Sequence, residues 1–209
     1  AQVDRFVHDR LPKPQQMPQL RFDAPELAFP AQCNLVEELL DKAPARGFGE
    51  RPMLRSDVQT LSYAQARVQV DRICQVLVHD LGLVPGNRVL LRGGNSVMMA
   101  LAMLAVMKAG LVAVATMPLL RARELGDIIA KAQPAAALCD AALLQELAQA
   151  QAGHPVLGTI VSFNTPGADP APDSLEARCA GKADLFTACP TAATDIALLA
   201  FTSGTTGKP

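Results

Sequence analysis

Short apolar runs alternate with longer helical stretches through most of this chain, and this alternation most constrains how it folds. From residue 63 to 81, apolar residues recur at spacings of one, three and four, which is typical of a helix with one buried face. The same reading predicts further helices over residues 96–108, 122–132 and 141–150. Buried strands are predicted between them, over residues 89–91, 111–115, 135–139, 159–162 and 195–201. Strands that alternate with helices in this way form right-handed βαβ units.

The pattern therefore predicts an α/β fold, with a mostly parallel sheet and helices on both of its faces. Before it, residues 1–33 are irregular and rich in proline, which predicts an extended arm crossing a surface. This segment is called the arm below. We expect residues 34–209 to form one α/β unit, beginning with a short helix over residues 35–43. Two short strands, over residues 52–55 and 60–62, are predicted next.

Composition argues against several classes of function. The 19 basic and 20 acidic residues leave a net charge of −1, and the chain has no Trp and one Tyr. Nucleic-acid-binding proteins carry basic patches with interleaved aromatics, so we expect no nucleic-acid partner. The five cysteines lie at wide intervals without a C-x-x-C pair, and the three histidines are far apart. This pattern favours reduced thiols over a disulfide framework or a zinc site.

The most apolar stretch, residues 96–120, is divided by Lys108 and closed by Pro118. Neither part reaches the roughly 20 apolar residues of a spanning helix, so a buried helix followed by a buried strand is expected there. The first residues contain no apolar signal core. These features predict a cytoplasmic protein without a membrane partner.

A loop of hydroxyls and glycines follows the last predicted strand. It consists of Thr202, Ser203, Gly204, Thr205, Thr206 and Gly207, and Lys208 comes next. Glycines let backbone N–H groups approach an anion closely, and the hydroxyls add donors, so the loop is suited to phosphate. It is not a Walker A loop, because that motif needs four residues between its first glycine and the Gly-Lys pair. A P-loop kinase or nucleoside triphosphatase is disfavoured on spacing.

The segment from Phe201 to Pro209 resembles the phosphate-binding signature of the adenylate-forming enzymes, the AMP-binding superfamily that includes acyl- and aryl-CoA ligases. All nine positions match the signature in order, and its final lysine would fall just beyond Pro209. Lys208 occupies a variable position, so it does not inherit that lysine's role. Weaker likenesses, at residues 61–65, 85–89 and 108–114, follow in the family's order. In the arm, residues 4–12 and 17–20 are similar to the start of 2-aminobenzoate-CoA and benzoate-CoA ligases.

The resemblance implies an enzyme that joins a carboxylic acid to AMP from ATP, releases pyrophosphate, and then forms a CoA thioester. ATP, Mg²⁺ and CoA would be its cofactors, and an aromatic acid such as 2-aminobenzoate or benzoate its substrate. Thr202, Ser203, Gly204, Thr205, Thr206 and Gly207 would then surround the β- and γ-phosphates. None of these residues is a base or a nucleophile, so no catalytic residue is predicted in this chain, and no metal ligand is assigned.

The family's adenine, acyl and lysine-bearing segments follow the signature. We therefore expect this chain to be the N-terminal part of the large domain of a longer ligase, inactive by itself. A homodimer is possible. Three alternatives remain open: an adenylation domain with another acceptor, a binding or assembly module that keeps the fold without chemistry, and a nucleotide-binding protein outside this family.

Overall fold

The computed structural model describes residues 2–19, 21–167 and 169–201, and its main feature is a parallel sheet between two helical layers. In this part of the chain, five strands pair in the order β6-β5-β3-β4-β7, all parallel. A separate antiparallel hairpin, β1-β2, precedes them. The strands are β1 Pro52–Arg55, β2 Thr60–Ser62, β3 Arg88–Arg92, β4 Val112–Thr116, β5 Ala136–Asp140, β6 Thr159–Phe163 and β7 Leu198–Ala200. The helices are α1 Tyr63–Gln75, α2 Val97–Lys108, α3 Ala122–Ala132, α4 Leu144–Ala152 and α5 Leu175–Cys179.

The two faces of the sheet bury two separate cores. Val89 and Leu91 of β3 point to one face, where α1 and α2 pack. Leu90, between them, points to the other face and packs with α3 and α4. Consecutive strand residues point to opposite faces, and both faces are covered, so the strand is apolar without alternation. The predicted α/β fold with helices on both faces is confirmed.

Capping residues fix where the helices begin. Ser62 Oγ accepts a hydrogen bond of 3.2 Å from the Gln65 N–H, and the Gln65 side chain accepts one of 2.9 Å from the Ser62 N–H. This reciprocal capping box starts α1 at Tyr63, as predicted. At the start of α2, Ser96 Oγ accepts a single hydrogen bond of 3.2 Å from the Met99 N–H. Hydroxyl caps satisfy N–H groups that the helix itself leaves unpaired.

Several element ends differ from the prediction for local reasons. The predicted helix 63–81 is α-helical to Gln75 and continues as a π-helix over Val76–Asp80. The predicted strand 195–201 pairs only over Leu198–Ala200, because Asp195 belongs to a turn in which its N–H donates to the Ala192 carbonyl. None of the helices in the described part of the chain has the length and apolar character that crossing a bilayer requires.

One charge cluster is buried between α1, α2 and the helical turn before the hairpin. Lys108, at the end of α2, is 1% exposed, and its Nζ contacts Asp71 and lies 2.6 Å from Asp41 Oδ1. Burial raises the pKa of Asp71, and the ammonium group opposes that rise without cancelling it. A buried charge requires a partner of opposite sign, so these three side chains tie the elements to one another.

Candidate active site at the carboxyl edge of the sheet

The predicted phosphate loop lies outside the described residues. Thr202, Ser203, Gly204, Thr205, Thr206 and Gly207 all follow Phe201, the last residue that the structure describes. The structure describes the strand that leads to this segment. Strand β7 runs parallel to β4, with Ala200 opposite Ala115, so the chain leaves the sheet at its carboxyl edge. Ligands of open parallel sheets bind at this edge.

A cleft of about 730 Å³ opens at the same edge. It is lined by the turn after β3, including Gly93, Gly94 and Ser96, and by Thr116 at the end of β4. Arg55 at the end of β1 and Ser56, which follows it, also line the cleft. Thr116 follows Ala115, the residue paired with Ala200, so this carboxyl-edge cleft lies beside the exit of β7. The cleft has room for a small organic acid or part of a nucleotide.

Arg92 holds the loop that borders the cleft. This side chain is 1% exposed, and its guanidinium donates to the carbonyls of Met117, Pro118 and Leu120 at 3.1, 3.2 and 2.8 Å. A fourth bond of 3.2 Å reaches the carbonyl of Leu143, which follows β5. Burial lowers the pKa of Arg92, and yet an arginine stays charged at neutral pH. The planar guanidinium group therefore holds residues 117–120 and Leu143 in place together.

Side chains from neighbouring elements meet at the other end of the same edge. Asn164 follows β6 with a left-handed φ of 53°, and its Nδ2 donates to Asp140 at 2.8 Å and to Ser96 at 3.3 Å. Its backbone N–H donates to Glu176 Oε1 at 2.7 Å. These bonds connect the cap of α2 with the ends of β5 and β6.

The glycine turn after β3 has a structural explanation. A Cβ atom on Gly93 would lie 3.0 Å from the ring of Phe163, so the turn packs closely against β6. Sequence patterns alone did not single out Arg92 or Thr116, although a charged residue directly after the apolar run 89–91 was a usable signal. Among the described residues, no group of three His, Cys, Asp or Glu side chains could hold a metal ion.

Comparison with known proteins identifies the family. The model of the AMP-binding enzyme family matches residues 41–209. Over 158 residues, 71% of this chain and 26% of the relative, the chain is 34% identical to "Salicyl-AMP ligase / salicyl-S-ArCP synthetase" from Mycobacterium tuberculosis (strain ATCC 25618 / H37Rv). It is 26% identical to "Benzoate--CoA ligase" from Thauera aromatica, over 88% of this chain and 34% of that protein.

The fold also matches solved structures. A crystal structure of an anthranilate CoA ligase in complex with anthranoyl-AMP superposes with a TM-score of 0.77 at 20% identity, over 86% of this chain and 33% of that one. This chain thus spans about a quarter to a third of the length of the relatives it matches. The family match extends over the sheet, both helical layers and residues 202–209. The chain belongs to the AMP-binding enzyme family.

Proposed function

We propose that the complete protein is an ATP-dependent ligase that activates an aromatic carboxylic acid and transfers it to the thiol of CoA. The observation that supports this proposal is the sequence of residues 202–207, which follows β7 directly along the chain. The names of the relatives support an aromatic acid. Residues 34–209 would form the catalytic unit's first α/β part, and the arm a separate segment.

Thr202, Ser203, Gly204, Thr205, Thr206 and Gly207 would hold the β- and γ-phosphates of ATP. When a carboxylate oxygen attacks the α-phosphorus, the bond to the bridging oxygen breaks and negative charge accumulates on the departing pyrophosphate. Backbone N–H groups and hydroxyls that are already in place stabilise this charge without reorganising. Mg²⁺, when bound, would neutralise part of the phosphate charge, and a threonine hydroxyl is a suitable ligand for it. The thiol of CoA then attacks the acyl carbonyl, and AMP departs.

The test is pyrophosphate release by the complete protein with ATP, Mg²⁺ and a panel of acids. We expect release with 2-aminobenzoate, benzoate or salicylate that exceeds release with acetate and hexanoate. Gly204→Ala should lower the rate about 10²-fold or more, the usual effect of disturbing one preorganised anion contact. Lys208→Ala, at the variable position, is the matched control and should keep its activity. No release with any acid would refute the proposal.

A second acceptor of the acyl group should also be tested, because the relative with 34% identity is named a salicyl-S-ArCP synthetase. In this alternative the adenylate is passed to a thiol on a carrier protein. The two acceptors are distinguished by measuring thioester formation once with CoA and once with a carrier protein. We expect the CoA thioester, as with the benzoate ligase relative.

We further propose that the 209-residue chain by itself activates no acid and binds ATP weakly, and that the protein is cytoplasmic. Turnover by this chain in a pyrophosphate-exchange assay would contradict the first point. Micromolar affinity in calorimetry would contradict the second, and recovery of the native protein in a membrane fraction would contradict the third.

A further inference from the structure

We propose that the arm positions strand β7, and through it the loop that begins at Thr202. This inference rests on the proposed function, because it assigns the arm a role in holding the ATP-binding loop. Strand β7 needs such support. It pairs with β4 over three residues, it has a partner on only that side among the described residues, and Leu198 is 44% exposed. Short edge strands are the part of a sheet that opens most easily.

The start of the arm is fixed to the amino end of β3. The N–H groups of Val3 and Asp4 both donate to the Pro85 carbonyl at 2.9 Å. The Asp4 carboxylate accepts a bond of 2.8 Å from Asn87 and contacts Arg88, which is buried. A Cβ atom on Gly86 would lie 2.1 Å from the Asp4 carbonyl oxygen, so only glycine permits this approach.

From this anchor, the arm reaches the residues just before β7. Gln2 Nε2 donates to the Ile196 carbonyl at 2.7 Å, and His8 Nε2 lies 3.6 Å from Asp195 Oδ1. The arm therefore connects the residues before β7 to the amino end of β3, in the centre of the sheet. This connection is independent of the pairing between β7 and β4.

The end of the arm makes a second connection to the same segment. The Cys33 N–H donates to the Thr191 carbonyl and the Thr191 hydroxyl donates to the Cys33 carbonyl, both at 2.9 Å. The Ala193 N–H donates to the Ala31 carbonyl at 2.9 Å. Both ends of the arm therefore hold residues 191–196, immediately before β7.

The hydrogen bonds between the arm and residues 191–196 lie beside a cavity. Phe29 and Cys33 of the arm and Ile196 and Ala197 line a cavity of about 230 Å³. Apolar packing across such a gap is weak, because side chains that do not touch gain no dispersion energy. Removing individual hydrogen bonds should therefore release β7 without disturbing a packed core.

The first test uses hydrogen exchange on this 209-residue chain, so it does not depend on activity. The double variant Gln2→Ala/Thr191→Val removes one side-chain bond at each end of the arm. We expect exchange at residues 112–116 and 197–201 to accelerate about five- to twentyfold, the effect of losing one or two hydrogen bonds. Residues 136–140 should be unchanged, because β5 lies between β3 and β6.

The control variant Gln15→Ala/Thr187→Val makes the same chemical changes at exposed positions and should not alter exchange. Unchanged exchange at β4 and β7 in the test variant would overturn the proposal. Equal acceleration in all strands would also overturn it, because the arm would then contribute only global stability.

The second test measures steady-state kinetics of the complete protein. In the test variant we expect the KM for ATP to rise about five- to twentyfold while the KM for the acid stays constant, because one or two hydrogen bonds are lost. A parallel rise in both KM values, or no rise, would refute the link from arm to loop. Absence of turnover in the unaltered protein would instead refute the proposed function, and the exchange experiment would still decide whether the arm holds β7.

Discussion

At the scale of single residues, Arg92 shows how one side chain shapes the carboxyl-edge cleft. Its four acceptors are backbone carbonyls in two separate segments, the loop after β4 and the short helical turn that ends at Leu143. We expect Arg92→Lys to lower the free energy of unfolding by about 2–4 kcal/mol, because one ammonium group leaves several buried carbonyls unpaired. Urea unfolding would measure this. Arg123→Lys, at an exposed position, is the control, and equal stability of the two variants would contradict the role assigned to Arg92.

The thiols provide a second test at this scale. Burial raises the pKa of Cys139 and of Cys179 to about 12, and it also raises the pKa of Cys74. At pH 8 a thiol of pKa 12 is ionised in only about one molecule in ten thousand, and the thiolate is the reactive form. We expect iodoacetamide to label the half-buried Cys33 first in the native protein. Faster labelling of Cys139, detected by peptide mass, would contradict the burial seen here.

At the scale of elements, the buried Lys108 connects α2 to α1 and to the helical turn that contains Asp41. We expect Lys108→Met to lower the free energy of unfolding by about 3–5 kcal/mol, because two carboxylates lose their partner, one of them fully buried. The double variant Lys108→Met/Asp71→Leu should regain part of the loss. Lys42→Met, which removes an exposed pair with Glu38, is the control and should change stability little. If the double variant lost as much unfolding free energy as the two single variants together, the coupling between Lys108 and Asp71 would be contradicted.

The anchor of the arm gives a prediction about pH. Burial alone would raise the pKa of Asp4, but hydrogen bonds from the Phe6 N–H, Arg88 and Asn87 outweigh it and hold the pKa below its usual 3.8. A lowered folded-state pKa means that the stabilisation is complete above pH 3.8 and is lost as the pH falls through the lower value. We expect exchange at residues 197–201, after correction for intrinsic rates, to accelerate as the pH falls below 3.8. Unchanged corrected exchange between pH 5 and pH 3 would contradict the anchoring by Asp4.

At the scale of the whole molecule, the described residues leave the β7 edge of the sheet without a partner strand. Unpaired edges with exposed apolar side chains favour association between chains. We predict that the 209-residue chain self-associates as its concentration rises, and that Leu198→Lys reduces this. Val156→Lys changes a side chain with the same 44% exposure at another site and should have no effect. Sedimentation that shows a monomer at all concentrations would refute the prediction.

The sequence alone determined the layered fold, the order of its elements and the family, because these depend on local periodicity and on a contiguous motif. The apolar spacing from Tyr63 onward and the caps Ser62 and Ser96 act within a few residues. Only the tertiary structure decided that Arg92 binds carbonyls 25 to 51 positions away, or that Gln2 reaches Ile196, 194 positions along the chain. Such contacts depend on the order of the strands in the sheet. The spacing of apolar residues along the chain does not determine that order. The strand order also brought Thr116 to the exit of β7, where the hydroxyl-rich loop begins.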